Sequence, residues 1–180
     1  TRIYSYNKKT NKFEEQKNTN LNELNGWWQT ITAADINQDG KMDLIIGNIG
    51  ENFYLRPDKE NPVKLWLNDY DQSGTTDAFL TRTVAAENKT KRDMPVFLKR
   101  EITEQFPALK KQNLKHSDYA TKSIRELFSK ELISTSTQKV FNYCQSIIAV
   151  NEGNGKFRIE PLRQAVQLTS VNATAVTDVN

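Results

Sequence analysis

Two nine-residue segments of this chain, residues 35–43 and 69–77, carry oxygen-bearing side chains at a spacing that suits a metal ion. Each segment has them at its first, third, fifth and ninth positions, with glycine at its sixth. Ca²⁺ takes roughly six to eight hard oxygen ligands, and alternate residues of a tight loop can converge on one ion. Glycine permits the sharp turn between them. The oxygen-bearing residues are Asp35, Asn37, Asp39 and Asp43 in the first segment and Asp69, Asp71, Ser73 and Asp77 in the second.

The residues that follow each segment separate two kinds of calcium site. In an EF-hand, helices flank the loop and a carboxylate at position 12 completes the ligand set. Position 12 is Ile46 in the first segment and Leu80 in the second, and neither side chain binds a metal. Short apolar runs bounded by Gly and Asn, such as residues 44–48, are typical of strands. The sequence therefore predicts two loops that each join two strands, and not an EF-hand.

A plain hairpin turn is the alternative interpretation of each loop, because Asp-Gly is common in tight turns. A turn explains Asp39 and Gly40 but not the other oxygen-bearing side chains at their spacing. Without a cation, Asp35, Asp39 and Asp43 would bring like charges close together, which costs stability. We therefore favour a metal site in both loops.

A strand, a D-x-[DN]-x-D-G-x-x-D loop and an apolar strand ending in Gly-Asn resemble the FG-GAP or VCBS repeat of integrin-alpha-like β-propellers. The matching segments are residues 31–48, 65–81 and 174–180, and the last would open a third repeat. The similarity extends to Gly26-Trp27-Trp28 before the first loop and to Asn154-Gly155-Lys156-Phe157 in a hairpin.

This resemblance implies structural calcium in the blade loops and a place in a secreted or cell-surface protein. Carried over position by position, the implied ligands are the eight side chains named above together with the main-chain carbonyls of Lys41 and Thr75. Ser73 departs from the Asp or Asn that the family usually has at this position. We therefore expect the second site to bind calcium more weakly than the first.

The pattern predicts a mainly β fold, a partial β-propeller of two to three antiparallel blades with an α-helical insertion. We expect propeller blades with both calcium loops at residues 1–86, the helical insertion at 87–138, and further propeller strands with a truncated third repeat at 139–180. The loop starts are unevenly spaced, 34 residues from Asp35 to Asp69 and 109 from there to Asp178, which indicates the insertion. The predicted strands cover residues 2–6, 12–15, 28–34, 43–47, 63–67, 78–84, 145–150, 156–161, 167–170 and 173–177.

The length of 180 residues is short for a closed propeller, which needs about four to eight blades. The chain also begins inside a predicted strand and ends inside a repeat, so we expect a fragment whose signal segment is missing. Open blade edges would favour self-association. No run reaches the ~18 apolar residues of a membrane span.

The predicted insertion has the apolar periodicity of amphipathic helices. Asp93 or Met94-Pro95 is a candidate helix start, and Ser117-Asp118 is a candidate cap. Between Lys89 and Glu131 there are 11 Lys or Arg and 6 Asp or Glu. A solvated helix face accounts for that surplus, and we expect no nucleic-acid partner. The apolar positions are Ile102, Phe106, Leu109, Tyr119, Ile124, Leu127, Phe128 and Leu132.

Signals of catalysis are few. The single cysteine, Cys144, excludes an internal disulfide and a cysteine metal cluster, and we expect a buried structural thiol. No motif fixes a Ser or Cys partner for the single histidine, His116, and we expect it to be a surface or capping residue. Trp27, Trp28 and Trp66 are expected in the core rather than on a sugar-stacking surface.

Two classes of function remain open at this point. The favoured one is a calcium-binding scaffold or binding module, for protein or glycan, of an extracellular or surface protein. The alternative is part of a secreted carbohydrate-active enzyme, a lyase or hydrolase, with its active site elsewhere. The sequence favours a binding module over an enzyme.

Overall fold

The computed structural model describes residues 1–86 and 90–178, and it divides the chain into two compact units. The first unit comprises Thr1–Asp58 and the described part of Phe141–Asn180. The second comprises the described part of Lys59–Val140 and so interrupts the first in sequence.

The first unit holds a hairpin and a four-stranded antiparallel sheet. Asn11 and Asn154, in the turns between β1 and β2 and between β9 and β10, both have positive φ, 54° and 53°. The hairpin consists of β1 (Tyr4–Asn7) and β2 (Lys12–Glu15), and the larger sheet of β3 (Thr30–Ala34), β4 (Asp43–Gly47), β9 (Ile147–Gly153) and β10 (Lys156–Pro161). In the larger sheet the order is β10-β9-β4-β3.

Apolar side chains of β4, β9 and β10 form the core of the first unit with a residue from a short 3-10 helix at Asn20–Glu23. The buried members are Leu21, Ile46, Ile147, Ala149 and Phe157. The strand predicted at residues 167–170 is wrong, because Val166–Leu168 is a short 3-10 helix. Residues 173–177, all of them described, form no strand either. This segment is instead held by its side chains, since the hydroxyls of Thr174 and Thr32 lie 2.6 Å apart.

The second unit is built on another four-stranded sheet, in the order β7-β6-β5-β8. Its strands are β5 (Val63–Asn68), β6 (Asp77–Ala85), β7 (Lys91–Pro95) and β8 (Thr137–Phe141). β5 and β6 pair antiparallel, with Trp66 opposite Phe79, and both rings are fully buried. The indole N–H of Trp66 donates to the Thr81 hydroxyl at 2.9 Å. Trp66 is therefore a core residue, as predicted.

Five short helices follow β7 and pack their apolar side chains against Trp66 and Phe79. Pro107 stands in the first turn of the second helix, where a missing N–H costs nothing. The predicted apolar stripe is confirmed, because Ile102, Phe106 and Leu109 are all buried. The helices are α1 (Lys99–Gln105), α2 (Pro107–Gln112), α3 (His116–Ala120), α4 (Ile124–Leu127) and α5 (Lys130–Thr135).

The predicted helix start at Asp93 or Met94 is wrong, because these residues belong to strand β7. The Asp93 carboxylate is buried and accepts hydrogen bonds from the Lys64 ammonium at 2.9 Å and the Thr83 hydroxyl at 2.7 Å. Pro95 is tolerated because β7 is an edge strand, where a missing N–H breaks no ladder. The first helix begins only at Lys99.

The fold is mainly β with a helical segment, as the sequence predicts, and each four-stranded sheet has the strand number of one propeller blade. The expected boundary between residues 86 and 87 adjoins residues 87–89, which lie outside the described part of the chain, as do Val179 and Asn180 of the expected third repeat. No helix among the described residues is long and apolar enough to span a membrane.

Candidate metal centre

The two aspartate-rich segments belong to two different sheets, and each joins two neighbouring antiparallel strands. The first joins β3 to β4, and the second joins β5 to β6. In the first sheet Ala34 pairs with Asp43, and in the second Asn68 pairs with Asp77. Each loop thus begins after a paired residue and ends on the aspartate at its ninth position. Both loops join antiparallel strands, as predicted.

The aspartate at the first position organises each loop by accepting two backbone N–H groups. The carboxylate of Asp35 accepts from Asp39 at 3.0 Å and from Gly40 at 2.8 Å. The Asp69 carboxylate accepts from Ser73 at 2.9 Å and from Gly74 at 2.8 Å.

The third position adds a second acceptor to the N–H of the fifth. The side-chain oxygen of Asn37 accepts from the Asp39 N–H at 3.1 Å. That of Asp71 accepts from the Ser73 N–H at 3.0 Å. The same short-range hydrogen bonds therefore shape both loops.

The backbone dihedral angles also repeat between the loops. Gln38 and Gln72, at the fourth position, both have φ of 60°, and the glycines at the sixth position have φ of 82° at Gly40 and 87° at Gly74. Two left-handed residues on either side of position five curl the chain around the first aspartate. The two sequences, different at most positions, specify one backbone conformation.

The aspartate at the ninth position ties the end of each loop to its start. One oxygen of Asp43 accepts the Ile36 N–H at 3.1 Å, and one oxygen of Asp77 accepts the Tyr70 N–H at 2.9 Å. The Asp43 side chain is fully buried, and its other oxygen accepts the Asn151 N–H at 2.7 Å. Asp43 thus fixes the first loop to the neighbouring strand β9.

The second loop gathers three carboxylates. Single oxygen atoms of Asp69, Asp71 and Asp77 all lie within 4.8 Å of one another. A cluster of hard, negatively charged oxygens fits the ligand preference of Ca²⁺, which uses carboxylate and carbonyl oxygens. The donor chemistry of this loop therefore suits a divalent cation. The Ser73 hydroxyl lies 2.8 Å from that of Thr75, so the fifth and seventh residues are also in contact.

The first loop holds its acidic groups differently, because its third position is Asn37 and its seventh is Lys41. The Asp39 carboxylate accepts from the Lys41 backbone N–H at 2.9 Å and from its ammonium at 3.1 Å. These bonds turn one potential ligand toward a lysine. The Lys41 side chain thus partly neutralises the negative charge of the first loop, whereas the second loop has threonine at this position.

Local hydrogen bonds keep one acid in each loop ionised. The backbone N–H and then the side chain of Lys41 hold the pKa of the Asp39 carboxyl below its ordinary value. The hydroxyl and then the backbone N–H of Ser73 hold the pKa of the Asp71 carboxyl below its ordinary value. Both carboxyl groups are therefore charged at neutral pH.

Sequence reasoning missed the contact of Asn151 with the first loop. Its side-chain amide donates to the Met42 carbonyl at 3.1 Å, in addition to the backbone contact with Asp43. Asn151 and Asp43 are 108 residues apart, and no short motif joins them. The ligand roles expected for the Lys41 and Thr75 carbonyls stay predictions.

The two four-stranded sheets and the twice-built loop define a mainly β repeat protein. Residues 1–46 match the family model described as FG-GAP-like repeat, and this range contains β1, β2, β3 and the whole first loop. Over this part of its length the chain is similar to FG-GAP-like repeats. Neither a search of curated proteins nor a search of solved structures gave a match.

Proposed function

We propose that this chain is a calcium-stabilised β-propeller repeat module of an extracellular or cell-surface protein, with a surface that binds a protein or a glycan. The observation that carries the proposal is one loop conformation built twice, each time around an aspartate whose two oxygens fix the backbone. The FG-GAP-like match over the first loop supports it.

Calcium would be held by side-chain oxygens of the first, third, fifth and ninth loop residues. The main-chain carbonyls of Lys41 and Thr75 complete the proposed sets. A cation supplies positive charge where several carboxylates meet, and it thereby removes their mutual repulsion. The chain's own contribution is to pre-form the loop, because the backbone bonds to Asp35 and Asp69 already set its shape. The proposed ligands are Asp35, Asn37, Asp39 and Asp43 in the first loop and Asp69, Asp71, Ser73 and Asp77 in the second.

Isothermal titration calorimetry with CaCl₂ tests the metal sites directly. We expect two equivalents in the wild-type chain and one in each of Asp39→Asn and Asp71→Asn, which remove a charge from one loop at a time. Asp118→Asn, an equal change outside both loops, should keep two. Two equivalents in all four proteins would contradict the assignment of the ligands, and no heat of binding in the wild type would contradict the calcium proposal.

Calcium should also raise the thermal midpoint, since a ligand that binds only the folded chain stabilises it by about 2.7 kcal/mol per site at one hundred times its dissociation constant. The same midpoint with calcium and with excess chelator would mean that the loops are acidic turns without a linked metal.

The partner class needs a separate measurement. A screen of the chain and of its parent protein against a glycan array, read for both binding and cleavage, distinguishes a binding module from part of a carbohydrate-active enzyme. Binding without cleavage is the expected result. Cleavage that disappears when loop residues of this chain are substituted would contradict the scaffold role.

A further inference from the structure

A surface pocket of about 390 Å³ lies on the helical segment of the second unit, away from the aspartate-rich loops in sequence. Its walls come from α1, α2 and the first residue of α3. The lining residues are Lys99, Arg100, Thr103, Glu104, Lys110 and His116.

The charges around this pocket are unbalanced. Three permanent cations, Lys99, Arg100 and Lys110, face one carboxylate, Glu104. The Glu104 carboxylate accepts a hydrogen bond from the Arg100 guanidinium at 3.0 Å. This ion pair is weak, because the side chains of Arg100 and Glu104 are 86% and 67% exposed. The pocket therefore keeps a net positive charge.

Several donors at the pocket remain available to a ligand. The side chains of Lys110 and His116 form no hydrogen bond or ion pair with any residue in the described ranges 1–86 and 90–178. Lys99 donates to the Leu114 carbonyl at 2.7 Å, which holds its ammonium in place while two of its three donors stay free. Arg100 has five N–H donors and uses one on Glu104.

Folding alone does not require this arrangement. The buried side of the same helices is apolar, with Ile102, Phe106 and Leu109 in the core. The neighbouring acids act elsewhere: Glu101 accepts the Leu98 N–H at 2.7 Å, and Asp118 accepts the Lys115 N–H at 3.3 Å. Both carboxylates are thus engaged at helix starts rather than in the pocket.

We propose that this pocket binds a compact oxyanion, the phosphate or sulfate group of a small ligand. Arginine matches the oxygen geometry of such groups through paired N–H donors, and lysines add charge without a fixed direction. The size suits a small molecule and not an extended polyanion. The proposal does not depend on calcium binding, which involves other residues.

His116 gives a selective probe, because it is the only histidine of the chain. In a tag-free protein, one imidazole Hε1 signal in proton NMR reports on the pocket. Inorganic sulfate, inorganic phosphate and glucose 6-phosphate are titrated separately at fixed pH and ionic strength, with chloride as the balancing anion and no added calcium. We expect a saturable displacement of that signal.

Charge-removing variants locate the binding. Lys110→Gln and Arg100→Gln should each weaken binding and raise the dissociation constant about two- to fivefold, as for the loss of an exposed charge pair. Lys130→Gln removes the same charge from an exposed position outside the pocket and should leave it unchanged. Stronger binding of glucose 6-phosphate than of phosphate would indicate a ligand with an esterified phosphate group. Stronger binding of inorganic phosphate would indicate a free ion. A signal that moves without saturating for all three probes, or equal weakening in Lys130→Gln, would overturn the proposal.

Discussion

At the scale of single residues, the sixth position of each loop has one dominant constraint. Gly74 has φ of 87°, and a Cβ added there would meet no heavy atom within 4 Å. The same holds at Gly40, with φ of 82°. Because there is no steric conflict with neighbours, only the left-handed backbone makes glycine favourable at these two positions.

Replacing Gly74 by alanine should therefore lower the free energy of unfolding by about 1–2 kcal/mol, the cost of a left-handed L-residue. Gly74→Asn should cost less, because asparagine visits this conformation more readily. Urea unfolding of both variants without calcium checks the prediction. Equal losses in the two variants would show that the conformation of this residue does not govern the loop.

Much of the loop site could be predicted from the sequence, because its organising contacts are local. Asp35 and Asp69 bond to N–H groups four and five residues ahead, and such short-range bonds follow directly from spacing. The pairing of Asp39 with Lys41 was missed although the residues are two apart, because spacing alone does not say which partner a carboxylate takes. The hydrogen bond between Asn151 and Asp43 could not be predicted from the sequence, since it depends on which strands pair.

At the scale of elements, helix α4 shows how a four-residue helix is held. The Glu126 carboxylate accepts from the Ser123 hydroxyl at 2.7 Å and from the Ser123 backbone N–H at 2.8 Å. It also contacts the Arg92 guanidinium of strand β7. These interactions, those from Ser123 first, lower the pKa of Glu126 from 4.5 to about 2.

A carboxyl whose pKa is lower in the folded state stabilises the fold above its unfolded pKa and loses that contribution as the pH falls through the folded value. The loss for Glu126 should thus fall between about pH 4.5 and about pH 2. Because the side chain is 50% exposed, we expect only a few tenths to about 1 kcal/mol. In Glu126→Gln the unfolding free energy should decline less over this window, as followed by urea unfolding at several pH values. Glu104→Gln serves as the exposed control, and identical pH profiles for wild type and Glu126→Gln would contradict the role of this cap.

Strands next to the loops were predictable, whereas β7 was not. Residues 43–47 and 63–67 are rich in apolar side chains and have turn residues around them, and they form β4 and β5 nearly as expected. β7 has the sequence Lys-Arg-Asp-Met-Pro, without alternating apolar residues. Its place at the edge of the sheet depends on pairing with β6 and on the buried contact of Asp93 with Lys64, and both are tertiary effects.

At the scale of the whole molecule, each unit contains its own hydrophobic core. Phe79 is fully buried in the second core, where its ring lies near Tyr70, Phe106 and Phe128 at centroid distances of 6.3, 6.2 and 5.3 Å. Truncation to alanine removes these contacts and leaves a cavity, which costs about 3–5 kcal/mol.

Hydrogen exchange with mass spectrometry should show the effect of Phe79→Ala within one unit. We expect faster exchange of amides in β5 and β6 and unchanged exchange in β4 and β9. Ile147→Ala, in the first core, is the matched variant and should give the opposite pattern. Equal acceleration in both units for either variant would show that the two cores unfold together.

The pairing of β4 with β9 also bears on the order in which the chain folds during synthesis. Asp43 leaves the ribosome long before Asn151, its partner 108 residues later, and the whole of Lys59–Val140 is translated in between. The second unit is continuous in sequence and has its strands and helices complete before β9 exists. Until β9 is synthesised, one side of β4 in the first sheet stays unpaired. Pairing two strands so distant in sequence is intrinsically slow. Vectorial synthesis therefore favours the inserted unit as the first to fold, with the unit that contains the N-terminus completed last.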